Sequence, residues 1–81
     1  MASKNYVLNI VRENFPGSYR LITELYHSSD YFRSLCEDFT DCLQVVRRIE
    51  SSDKMSSKGY YEEYVKLLDE LEKELREKLK Q

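Results

Sequence analysis

The chain has 81 residues, enough for one domain, and at that size folding buries only about 60% of the surface the unfolded chain exposes, so the core is small. Hydrophobic residues make up 41% and charged residues 35%, with two glycines and one proline, the profile of long helices with solvated faces rather than of disorder or a sheet-rich fold. The formal charge is −2 and basic residues are scattered among acidic ones, so nothing resembles an electrostatic footprint for nucleic acid or an anionic membrane.

Met1-Ala2-Ser3-Lys4 leads into a mixed polar segment without an apolar stretch or lipidation pattern, which predicts a cytoplasmic protein. The longest apolar runs, Tyr6 to Leu8 and Leu43 with Val45 and Val46, fall far short of the ~20 residues of a membrane span, so no membrane partner is expected. Ser3 is a candidate N-cap for a first short helix over about 5–14, in which Tyr6 or Val7, Ile10, Val11 and Phe15 recur at steps of three and four. Pro16-Gly17 ends it. Ser18 can cap a second short helix, about 19–28, with Leu21, Ile22, Leu25 and Tyr26 on one stripe. Ser28-Ser29-Asp30 then favours a break, because these side chains bond their own backbone.

From about 30 to 51 the periodicity is clearest: Phe32, Leu35, Phe39, Cys42, Val46 and Ile49 alternate steps of three and four, and Cys36, Leu43 and Val45 widen the stripe. That breadth predicts contact with more than one helix. Residues 52–59 lack periodicity, contain serines and end in Gly59, and are read as a loop. A last helix over about 60–80 carries Tyr61, Tyr64, Leu68, Leu71 and Leu75, flanked by Val65, Leu67 and Leu79. Its outer face sets Glu62, Asp69, Glu72 and Glu74 four positions before Lys66, Lys73, Arg76 and Lys78, pairs worth about 0.2–0.5 kcal/mol each. Glu62 and Glu63 at its start and Lys78 and Lys80 at its end match the helix dipole. Two helices of about 22 residues would each span about 33 Å, which suits an antiparallel hairpin. The expectation is a single all-α domain over 1–81: an antiparallel hairpin of two long helices with two short N-terminal helices, in a small helical bundle.

No residue set points to an active site, a metal or a cofactor. Cys36 and Cys42 are six residues apart on one helix, about 9 Å along the axis and ~120° around it, too far to bridge. Buried reduced thiols are expected. His27, the single histidine, falls near the end of the second helix, and no partners are arranged around it. A phosphotransfer-type signalling role for His27 is the alternative reading, although Leu25-Tyr26-His27-Ser28-Ser29 lacks the lysine and small residues that such domains place after the histidine. Arg47-Arg48 reads as a solvated helix face. The seven tyrosines fit either core-edge packing with wet hydroxyls or an interaction surface, for which Tyr26, Tyr31, Tyr60, Tyr61 and Tyr64 are the candidates.

Phe15-Pro16, then Tyr19-Arg20, Ile22, Leu25, a polar break, Phe32, Leu35, Phe39 and Arg48-Ile49-Glu50 before a leucine-rich helix resembles the YdcH-like small bacterial proteins over residues 15–81. The resemblance implies a helical hairpin without an assigned activity; Tyr31 stands where that family usually has histidine. Two facing stripes would leave Cys36, Leu43, Val65 and Leu67 to be covered, by the short helices or by a second copy. The reading is therefore a non-enzymatic interaction or structural module, partnered by its own copy as a homodimer or by another protein through a helical surface, with no small-molecule substrate identified.

Overall fold

The structure is a computed structural model that describes residues 4–51 and 58–80. The described residues form helices α1 (Lys4–Asn14), α2 (Tyr19–Ser28), α3 (Asp30–Glu50) and α4 (Lys58–Leu79), with a 3-10 turn, Pro16–Ser18, between the first two. There is no strand among them, so the chain is all-α, a small helical bundle. The Ser3 cap and most of the expected loop lie outside the described residues.

The join of α1 to α2 is tighter than the stop signal at Pro16-Gly17 implied. Proline opens the 3-10 turn, where its missing N–H costs nothing, and the Ser18 amide donates to the Phe15 carbonyl at 3.1 Å. Ser18 was the expected cap of α2, yet its side chain makes no capping bond. The 3-10 turn runs directly into α2 and takes over the geometry a cap would have set. Arg12 ties the two helices together, its guanidinium donating to the Thr23 hydroxyl at 2.5 Å and lying 4.1 Å from the Tyr19 ring centre.

One residue separates α2 from α3. Ser29 sits in an extended conformation, its amide donates to the Leu25 carbonyl at 2.9 Å, and its hydroxyl accepts from the Phe32 amide at 3.1 Å. It closes one helix and caps the next. Arg33 braces this bend, donating to the Tyr26 carbonyl at 3.2 Å and to Asp30 at 2.7 Å.

Helix α3 is the spine. Phe32, Leu35, Cys36, Phe39, Thr40, Cys42 and Val46 are buried along it, and α1, α2 and α4 all pack against it. Val7, Leu8, Ile10 and Val11 of α1, Ile22 and Tyr26 of α2 and Leu75 of α4 complete the core. Phe15 tilts against Phe39 with ring centres 6.1 Å apart. The pairs joining α3 to α4 run in opposite order along the two helices. The Tyr61 hydroxyl donates to Glu50 at 2.6 Å, the Cys42 thiol donates to the Tyr64 carbonyl at 3.3 Å, and Lys78 lies 5.1 Å over the Tyr31 ring.

Helix α4 begins at Lys58, so Gly59, expected as the end of the loop, lies in its first turn, and Glu62 and Glu63 fall one turn too late to face the helix N-terminus. Of the four expected i,i+4 pairs, Asp69–Lys73 closes at 3.2 Å and Glu72–Arg76 at 3.3 Å. Lys78 lies over the Tyr31 ring, 5.1 Å from its centre, where a cation is attracted to the aromatic face.

Candidate functional site

The apolar stripes of α3 and α4 are broader than their contact line, and the surplus is covered unevenly. Cys36 is fully buried, and Leu43 packs against the core cluster that α1 and α2 help to form. Val65 and Leu67 stay 39% and 45% exposed. By helical geometry they stand about 200° apart around α4, so they belong to opposite flanks. Leu67 opens onto a groove of about 250 Å³ between α3 and α4, lined by Asp38, Asp41, Cys42, Val45, Tyr64 and Leu71 as well. Its floor is apolar and its α3 edge carries two exposed carboxylates.

The Cys42 thiol closes the floor by donating to the Tyr64 carbonyl, and burial pushes its titration upward, which keeps it protonated at neutral pH. Cys36 is pushed up to about 12, chiefly by burial and also by the Glu37 carboxylate. Neither thiol has the electropositive, accessible setting of a reactive cysteine. His27 is exposed at the end of α2, its ring edge-on to Tyr26 with centres 6.0 Å apart, and it makes no hydrogen bond among the described residues. Among those residues no group of three or more histidine, cysteine, aspartate or glutamate side chains could hold a metal ion. No helix among them is long and apolar enough to cross a membrane.

The candidate tyrosines do not form one surface. Tyr26 is 2% exposed and belongs to the core, a correction to its placing on an interaction face. Position 26 falls on the inward stripe of α2, where its ring packs beside Ile22 and under Arg33. Burial raises its phenol, and the Glu37 and Cys36 charges add to that while Arg33 opposes it. Tyr31 is exposed at the far end of α3, beneath Lys78. Tyr60, Tyr61 and Tyr64 gather at the start of α4. The Tyr60 and Tyr64 rings meet edge-on at 4.7 Å, with the Tyr60 hydroxyl donating to that of Tyr64 at 3.3 Å. The bond from Tyr61 to the Glu50 carboxylate raises the Tyr61 phenol above its ordinary value.

Tyr64 alone of the five lines the groove. Asp38 and Asp41 were not singled out in the sequence, although Asp38 stands one turn before Cys42 and Asp41 one turn before Val45, on the flank of the main stripe. Comparison with models of known protein families, with curated proteins and with solved structures gave no match.

Proposed function

We propose that the chain is a non-enzymatic helical interaction module that works in the cytoplasm by seating a protein partner in the groove between α3 and α4. In this reading α3 and α4 form an antiparallel hairpin, α1 and α2 brace its back, and the partner is another protein or a second copy. The observation that carries it is Leu67: a large apolar side chain 45% exposed beside an apolar floor, on a molecule whose other surplus positions on α3 are covered. The likeness to the YdcH-like hairpins supports the same architecture and adds no activity.

A photo-crosslinking amino acid placed at position 67, and separately at position 65, tests this in the native cell. A protein adduct from position 67 and none from position 65 is expected. Absence of any adduct at 67, or equal adducts from both, would count against a docking groove.

A further inference from the structure

The groove is apolar along its floor and acidic along its α3 edge, and helical geometry sets further carboxylates beside Leu67 on α4. On the α3 side Asp38 and Asp41 are exposed at the rim, and they are the charged groups among the lining residues. On the α4 side the residues standing about 40° and 60° from Leu67, away from the core, are Glu63 and Glu70, both exposed. Lys66 lies about 100° from Leu67, beyond that rim. Lys73 is held by Asp69 at 3.2 Å and Lys78 by the Tyr31 face, so neither cation is directed at the floor.

From Tyr64 to Leu71 the floor runs for about two helical turns, or roughly 10 Å, the length over which a helix presents anchors at i, i+3 or i+4, and i+7. We infer that the occupant is an amphipathic helix of another protein, with two or three aliphatic anchors on the floor and lysine or arginine flanking them to meet Asp38, Asp41, Glu63 and Glu70. A second copy is disfavoured in this groove. A twofold interface sets identical patches face to face, and here that would oppose carboxylate rims to carboxylate rims. The inference rests on the docking reading and adds the chemistry of the partner.

The probe is a fluorescein-labelled amphipathic peptide of about 18 residues made of leucine and lysine, compared with one in which glutamate replaces every lysine. Fluorescence anisotropy against the full chain is read at low and at high salt. The lysine peptide is expected to bind about tenfold or more tightly than the glutamate peptide and to weaken as salt rises. Leu67→Glu and the double variant Asp38→Lys/Asp41→Lys should each lose about tenfold for the lysine peptide, and the double variant should gain affinity for the glutamate peptide. Val65→Glu and the reversal Glu13→Lys on α1 should leave binding unchanged. All substituted side chains are exposed, and a circular dichroism melt of each variant is the control for folding.

Equal binding of the two peptides, unaltered binding in Leu67→Glu, or the same loss in Glu13→Lys would overturn the inference. So would a chain that ignores both peptides yet sediments as a dimer dispersed by Leu67→Glu, because the second copy would then be the occupant. If position 67 crosslinks to a protein in cells while the lysine peptide fails to bind, the docking groove stands and only the basic helix is refuted.

Discussion

Replacing Phe39 by alanine should remove most of the stability of this molecule. The side chain is 2% exposed, sits at the middle of α3, and packs its ring against Phe15 from the α1 end of the bundle. Full burial of such a ring contributes about 1.5–3 kcal/mol by transfer alone. The tilted aromatic pair adds about 0.5–1.5 kcal/mol, and a cavity left in the spine brings the cost of Phe→Ala to about 3–5 kcal/mol. A domain of 81 residues is expected to hold about 4–12 kcal/mol in all, so Phe39→Ala can unfold it. Phe39→Leu keeps most of the volume and should cost about 1–1.5 kcal/mol. The assay is urea unfolding followed by ellipticity at the helical band. With a slope near 1 kcal/mol per molar, Phe39→Leu should lower the midpoint by about 1 M and Phe39→Ala by about 3 M or more, or abolish the folded baseline. Midpoints for both variants within about 0.5 M of the parent would refute the placing of Phe39 in the core.

Ser29→Ala removes the hydroxyl that caps α3 and should cost about 1 kcal/mol, read as a fall in melting temperature of about 4–8 °C; no fall would mean that backbone and water alone satisfy the Phe32 amide. Cys36 is held protonated in the fold, from an ordinary value of 9.0 up to about 12, so between these limits the folded chain keeps a proton that the unfolded chain has lost. Stability should therefore be intact below about pH 9 and decline as pH rises toward 12, and Cys36→Ala should flatten that decline, measured by urea midpoints across the range. Arg47→Ala, at an exposed side chain, should change the midpoint by less than about 0.5 kcal/mol equivalent, and a larger fall would place that guanidinium in a structural role.

The spine was the most legible part of the fold, and the reason is physical. A helix covered on two sides needs apolar residues over a wide arc, and Phe32, Leu35, Phe39, Cys42 and Val46 are buried where the 3.5-residue repeat sets them. Ile49 shares the pattern yet is half-buried, since it falls in the last turn. Helix α1 was less transparent: Leu8 is 4% exposed although it lies off the expected stripe, because α1 touches both α2 and α3 and buries a broader arc than one neighbour would. Thr40 is wholly buried too, and a pattern of apolar residues passes over it. The join at Ser29 was visible as a polar break but not as a single residue serving two helices, which depends on its backbone angles.

The groove was legible only in part. Leu67 and Val65 stood out as surplus positions alongside Cys36 and Leu43, but which of the four the short helices would cover depends on how α1 and α2 lie on α3. Periodicity along one helix carries no information about that. The tyrosines misled for a related reason, since aromatic content is shared by cores and surfaces: Tyr26 and Tyr64 both fall on the apolar stripe of their helix, yet only Tyr26 is buried.

Helix α4 is anchored at one end. Among its described side chains Leu75 is the one fully buried, whereas those from Tyr60 to Leu67 are all exposed or half-buried. Opening that first stretch breaks few apolar contacts, so its amides exchange with solvent through local fluctuations well below the free energy of global unfolding, while those of α3 wait for the whole molecule to open. The same stretch forms one wall of the groove. A ligand seated there would slow exchange in the Tyr60–Leu67 turns and leave α3 unaltered, and part of its affinity would be spent on stilling that wall.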